Sequence, residues 1–231
     1  MPPVRISYFS DVLCIWAYAT QRRLEQLVRD FGDDISVETR FCSVFPDAWG
    51  KIETSWAARG GFEGFNHHLN EVAQKFPHMK VHPRLWLETR PRTSASAHLF
   101  LKAIEIIESE QYASTDIPPY LERLSTRAAS ALREAFFVSA KDISDWRVFG
   151  EISEALGIDH GLIDAKIRSS EAVALLASDY DLSQKSGIEG SPTFIMNNGR
   201  QKLFGNVGYR LLEANVQELL HDPAQEEASW C

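Results

Sequence analysis

The stretch Val4-Arg5-Ile6-Ser7-Tyr8-Phe9-Ser10-Asp11-Val12-Leu13-Cys14-Ile15-Trp16-Ala17-Tyr18 decides how this chain is read. Its first six residues are an apolar, strand-like start. Ser10 and Asp11 supply a short turn, and a helical pattern opens at Cys14. A thiol at a helix N-terminus meets unpaired backbone N–H groups and the positive end of the helix dipole, and both favour thiolate. Cys14 is therefore a candidate nucleophile, expected to be acidic. The spacing Cys14-Ile15-Trp16-Ala17 is that of a C-x-x-C redox motif with Ala17 in place of the second thiol.

Working outward, residues 14–30 read as a helix with Leu24, Leu27, Val28 and Phe31 on one face. Gly32-Asp33-Asp34 is a stop and turn, and residues 35–41 alternate at period two as a strand. Parallel strands joined by a helix imply a right-handed crossover. In such sheets ligand chemistry sits at the carboxyl ends of the strands, where Cys14 lies.

After Pro46 long helical patterns replace strand signals. Residues 94–108, 121–137, 143–156 and 163–177 each read as a helix. Ser144-Asp145 and Asp159 look like N-caps, and Gly157 looks like a stop. Strands return at 191–196 and 201–204 around an Asn197-Asn198-Gly199 hairpin turn. A final amphipathic helix covers 208–220, and an acidic tail expected to be mobile follows Pro223. The expected class is α/β: a thioredoxin-like core (β-α-β … α-β-β-α) in residues 1–47 and 179–222, with a large all-helical insertion in residues 48–178 and a tail over 223–231.

Composition narrows the function classes. The chain has 231 residues, 44% hydrophobic and 24% charged, with a net charge of −8. No basic stripe points to nucleic acid. Arg84, Arg90 and Arg92 are interleaved with Pro83 and Pro91 and read as a solvated turn. No apolar run approaches the ~20 residues of a membrane helix. Three cysteines (Cys14, Cys42, Cys231) do not make a disulfide framework. With no basic and apolar leader ahead of the first strand, a reducing cytoplasm is the expected location.

Four segments carry a resemblance across nearly the whole chain. They are Ser10-Asp11-Val12-Leu13-Cys14-x-Trp16-x-Tyr18; Leu132-x-x-Ala135-Phe136-Phe137 with Asp142-Ile143-Ser144-Asp145; Gly187-Ile188-x-Gly190-Ser191-Pro192-Thr193-Phe194; and Phe204-Gly205. In these the chain resembles the DsbA-like branch of the thioredoxin superfamily. That branch includes DsbA-type thiol oxidoreductases, 2-hydroxychromene-2-carboxylate isomerases and kappa-class glutathione transferases. The resemblance implies a cis-proline at Pro192, with Ser191 and Pro192 walling the Cys14 site and Thr193 beside them. It also implies glutathione as co-substrate. The isomerase and transferase relatives carry Gly-x-Asp-Arg after the last strand. Here the run is Gly205-Asn206-Val207-Gly208-Tyr209-Arg210, so Gly205 and Asn206 remain as binding candidates without the aspartate.

Ala17 constrains the chemistry, because a dithiol enzyme resolves its mixed disulfide with a second thiol. Three readings follow. The first is a monothiol, glutathione-linked thiol-disulfide oxidoreductase with Cys14 as its catalytic thiol. The second is a glutathione-dependent isomerase or kappa-like transferase acting on an aromatic electrophile. The third is a non-catalytic thioredoxin-fold peptide-binding protein. Cys42, at the end of the second strand, is a candidate resolving thiol, against a plain reading as a small buried hydrophobe. Cys231 reads as an incidental terminal thiol. Ser10, Asp11 and Trp16 are candidate contacts for substrate or thiol, whereas Tyr18 reads as packing and His98 as packing or capping. His67, His68, His78 and His82 do not have metal-ligand spacing, so no metal site and no covalent cofactor are expected. Expected partners are glutathione or another small thiol and a peptide or small aromatic substrate, with a homodimer as a candidate assembly.

Overall fold

A computed structural model of the chain describes residues 3–112 and 117–221. The expected acidic tail after Pro223, including Cys231, lies outside the described residues. Strand β1 (Val4–Ser10), helix α1 (Ile15–Phe31) and strand β2 (Ile35–Phe41) form the opening β-α-β unit. β1 and β2 pair in parallel, from Val4 opposite Ile35 to Ser10 opposite Phe41. Val4, Ile6 and Tyr8 point inward at period two, as a strand requires. α1 stops at Gly32, whose φ of 48° and ψ of −120° suit a residue without a Cβ; its N–H donates to the Val28 carbonyl.

The helical block follows: α2 (Ala48–Ser55), α3 (Gly61–Gln74), α4 (Leu85–Glu88), α5 (Ala95–Gln111), α6 (Leu124–Arg133), α7 (Trp146–Leu156), α8 (His160–Arg168) and α9 (Glu171–Lys185). β3 (Thr193–Met196), β4 (Gln201–Phe204) and α10 (Tyr209–Leu220) then complete the chain's described part. The sheet order is β2-β1-β3-β4. β3 runs antiparallel to β1, with Thr193 opposite Phe9, and β4 runs antiparallel to β3, with Phe204 opposite Thr193. Between them Asn197 and Asn198 adopt positive φ (44° and 59°), a conformation that asparagine tolerates.

Two cores result. Leu24 and Leu27 of α1, with Leu212 and Val216 of α10, pack on one face of the sheet against Ile6, Val37 and Phe194. The second core fills the helical block around Trp86, Phe100, Phe136 and Phe149. Val12, Leu13, Cys14 and Ile15 belong to this second core. The turn leading into α1 is thus held by the inserted helices as well as by the sheet.

Helix boundaries depart from the sequence reading in three places. The pattern over 121–137 becomes α6 from Leu124, followed by one π turn at Glu134–Val138. The expected helix 163–177 is two helices. Ser170 takes φ 68°, and the Ser169 hydroxyl bonds locally to Glu171, accepting from its N–H and donating to its carboxylate. The third departure is at 178/179, which lies inside α9 rather than between units.

α9 spans that point because it is fastened to the sheet there. The fully buried Asp179 accepts from Arg40 (2.9 Å), from the Phe41 N–H (2.9 Å) and from Lys102 (2.7 Å). Lys102, itself buried, also pairs with Glu105 at 2.7 Å. Removing one partner of a buried cluster leaves uncompensated charge. Asp179→Ala should therefore lower unfolding free energy by about 3–5 kcal/mol in urea titrations. A change below about 1 kcal/mol would mean the cluster does not anchor α9.

Candidate active site around Cys14

Cys14 is the N-cap of α1, with extended φ and ψ of −78° and 116°. The turn before it closes through the Cys14 N–H donating to the Asp11 carbonyl (3.1 Å). The thiol is buried, 6% exposed, and its S–H donates to the Ser191 carbonyl at 3.1 Å. The Ser191–Pro192 peptide is cis. The sequence led us to expect an acidic thiol, and the structure corrects this. Burial pushes the Cys14 thiol above its usual pKa, and the nearby Asp11 carboxylate adds to the rise. The backbone N–H groups of Ala17 and Trp16 pull in the expected direction but do not prevail.

Asp11 is the hub of the site rather than a turn residue alone. Its fully buried carboxylate accepts from the N–H groups of Leu13 (2.9 Å), Val44 (3.0 Å) and Phe45 (3.0 Å) and from the Ser94 hydroxyl (2.7 Å). The Asp11 N–H in turn donates to the Ser191 hydroxyl at 2.9 Å. One carboxylate therefore ties the Cys14 turn to the β2–α2 loop and to the start of α5. Its backbone ties the same turn to the wall carrying Ser191.

His98 of α5 completes this frame. The Val12 N–H donates to its Nε2 at 3.2 Å, which places the ring proton on Nδ1, 3.0 Å from the Tyr180 hydroxyl. The ring stacks on Phe41 with centroids 4.4 Å apart. Burial pushes its pKa down to about 4, against the opposing pull of Asp11, so it is a neutral linker. A histidine protonated in the unfolded chain but not in the folded one costs stability as pH falls. That contribution is complete above pH 6.5 and disappears toward pH 4, amounting to about 3 kcal/mol across the window. Unfolding measured from pH 7 to 4 should show a steeper loss in the parent than in His98→Asn. Equal slopes would contradict the neutral assignment.

The other expected residues take varied places. The Ser10 hydroxyl accepts from Arg133 at 2.8 Å and serves that side chain, not the thiol. Thr193 donates to the Gly190 carbonyl at 2.8 Å, bracing the proline turn. Gly205, at φ 84°, donates its N–H to the Pro192 carbonyl at 2.8 Å. Asn206 is held against α1, where its Oδ1 accepts from Thr20 (3.3 Å) and from Arg23. Trp16 is half-buried among His68 and Phe76, with Trp56 tilted against the far side of His68 at 5.1 Å. Tyr18 stacks on Phe137 at 4.6 Å.

Cys42 is free and buried, and burial pushes its thiol well up, so it offers no ready thiolate. It borders a 360 Å³ cavity together with Tyr180, Lys51 and Gly190, the last adjacent to Ser191. Among the described residues no group of histidine, cysteine and carboxylate side chains is arranged to hold a metal ion. No described helix is long and apolar enough to cross a membrane. Ser94, His98 and Tyr180 are not assigned to the site by the sequence reading. Each lies far along the chain from Cys14, and nothing local marks them.

Residues 5–217 match the family model described as the DSBA-like thioredoxin domain. The chain belongs to this family. Solved structures agree with that fold. A candidate protein disulfide isomerase from Nitrosomonas europaea is similar with a TM-score of 0.72 at 16% identity, over 94% of this chain and 98% of that one. The cytosolic disulfide reductase DsbM from Pseudomonas aeruginosa gives 0.66 at 19% identity, over 93% and 99%. A 2-hydroxychromene-2-carboxylate isomerase gives 0.62 at 14% identity, over 93% and 95%. No curated protein sequence matches the chain. The DSBA-like fold is thus established here, with the thioredoxin-like sheet and the helical insertion that the element order led us to expect.

Proposed function

We propose that this chain is a thiol-disulfide oxidoreductase that uses one motif cysteine and takes its second thiol from glutathione or a similar small thiol. The observation that carries the reading is the pairing of Cys14, the sole thiol of its C-x-x-A motif, with the Ser191 carbonyl at 3.1 Å beside the Pro192 turn. Support for glutathione comes from the DsbM fold, which has also been solved with GSH and is 18% identical. A glutathione pool is found in the cytoplasm, and we place the protein there.

The chemistry runs through a mixed disulfide R–S–S–G. Cys14, as thiolate, attacks the glutathione sulfur; the Cys14–glutathione disulfide forms, and R–S⁻ leaves and takes up a proton. A second glutathione thiolate attacks the glutathione sulfur of that adduct. Glutathione disulfide departs and Cys14 returns as thiol. The net change is R–S–S–G plus GSH to R–SH plus GSSG. R is a peptide or small aromatic thiol. Because burial raises the Cys14 pKa, the thiolate is scarce at neutral pH and turnover should climb as pH rises from 7 to 9. Iodoacetamide labelling of Cys14 should climb in parallel, and a labelling rate already flat at pH 7 would contradict this.

Ala17 is fully buried one helical turn beyond Cys14. Ala17→Cys restores the C-x-x-C spacing and should allow a disulfide between Cys14 and the introduced thiol, with disulfide exchange that no longer needs glutathione. Free-thiol titration after oxidation checks this, and a variant that keeps both thiols free would count against the motif reading.

One observation favours a second reading. The Cys14 S–H already serves as a donor, to the Ser191 carbonyl at 3.1 Å, and such a donor is suited to hydrogen-bonding a glutathione thiolate during transfer or isomerisation of an aromatic electrophile. A serine hydroxyl at position 14 would serve that role, so retained activity in Cys14→Ser would select it.

A further inference from the structure

Arg133, at the end of α6, is 6% exposed, and among the described residues no carboxylate lies within 4 Å of its guanidinium. Its Nη2 donates to Ser10 (2.8 Å) and its Nη1 to Gln21 (3.3 Å), while Nε has no partner among the described residues. Tyr8 is 2% exposed; Ser10 lies beside it, and among the described residues the Tyr8 hydroxyl makes no well-formed hydrogen bond. A buried cation without a counter-charge and a buried hydroxyl without a partner are both costly. The two border one inner cavity of about 30 Å³ between α1, β2 and α6. A water needs roughly 10–15 Å³ measured this way, so a single larger ion fits. The cavity adjoins an outer one of about 240 Å³, with which it shares Thr39, Phe41, Tyr120, Thr126 and Ala129, and which Glu38, Glu105 and Glu108 also line. Glu25 lies on the inner rim, but its carboxylate already accepts from Gln21 (3.0 Å) and Arg29 (3.4 Å).

We infer that the inner cavity is a binding site for a small monovalent anion, held by the Arg133 Nε–H and the Tyr8 hydroxyl. The anion is either a free halide or the carboxylate head of an organic acid whose body fills the outer cavity. It supplies the counter-charge that Arg133 lacks. Because Arg133 also holds Ser10, occupancy stiffens the turn that carries Asp11 and Cys14.

The test is thermal unfolding of the full chain and of Tyr8→Phe at fixed ionic strength, with sodium gluconate exchanged for sodium bromide, acetate or hexanoate, because sulfate would itself stabilise the fold. Bromide should raise the melting temperature of the parent relative to that of Tyr8→Phe saturably by about 2–4 °C, the shift that ~1 kcal/mol gives a chain of this size. Crystals soaked in bromide should show an anomalous peak between Arg133 Nε and the Tyr8 oxygen. A larger rise with hexanoate than with acetate assigns the outer cavity to the acid's body; equal rises leave the free ion. No anion-specific rise together with no bromide peak would overturn the proposal and assign the cavity to water.

Discussion

Cys14→Ser should abolish thiol-disulfide turnover, lowering it on the order of 10³-fold or more. A serine hydroxyl at this helix start can accept and donate hydrogen bonds, but it cannot form the Cys14–glutathione disulfide on which both steps depend. The fold should be unaffected, because the thiol donates to the Ser191 carbonyl at 3.1 Å and a hydroxyl can make the same contact. Coupled turnover with a glutathionylated peptide, parent against variant, is the measurement. Loss of turnover with glutathione binding intact is the expected result. Retained turnover would mean that another thiol of the chain, such as Cys42, carries the exchange.

Asp11→Ala should be the most destabilising single change at the site, by on the order of 3–5 kcal/mol. Three backbone N–H groups, from Leu13, Val44 and Phe45, and the Ser94 hydroxyl lose their acceptor inside the protein. The Leu13 and Phe45 N–H groups and the Ser94 hydroxyl cannot reach water without opening the loop, since all three residues are buried. Asp11→Asn keeps one carbonyl oxygen but turns an amide N–H₂ toward donors, so it should recover only part of the loss. Denaturant midpoints for the three proteins measure the order. Cys14 labelling should also quicken in Asp11→Ala as the turn loosens and its thiol becomes exposed. A stable Asp11→Ala variant with unchanged labelling would show that the carboxylate is not the hub described above.

Much of this architecture is legible in the sequence because its signals are local. Period-two alternation over residues 35–41, the Gly32 stop, the Asp145 and Asp159 caps and the Asn197-Asn198-Gly199 turn each depend on a few neighbouring side chains, and each is present as expected. The break at Ser170 is hidden because both flanking segments are apolar at helical spacing and serine is not a strong breaker. The sequence reading divides α9 at 178 because nothing local shows that Asp179 reaches Arg40 and Lys102. At the site the pattern repeats. Cys14, Ser191 and Pro192 sit in recognisable motifs, whereas the His98–Val12 and Ser94–Asp11 contacts join residues more than eighty positions apart. The expected acidity of Cys14 fails for the same reason. The helix start is a local feature that favours thiolate, and the burial that outweighs it comes from helices far along the chain.

The central claim is that Cys14 forms a mixed disulfide with glutathione and that no second thiol of the chain resolves it. Intact mass measured after incubation with oxidised glutathione, followed by peptide mapping, tests it most directly. The prediction is one glutathione per chain, located on Cys14, absent from Cys14→Ser and released by added reduced glutathione. A chain that stays unmodified, or one that instead closes an internal Cys14–Cys42 disulfide, would contradict the account.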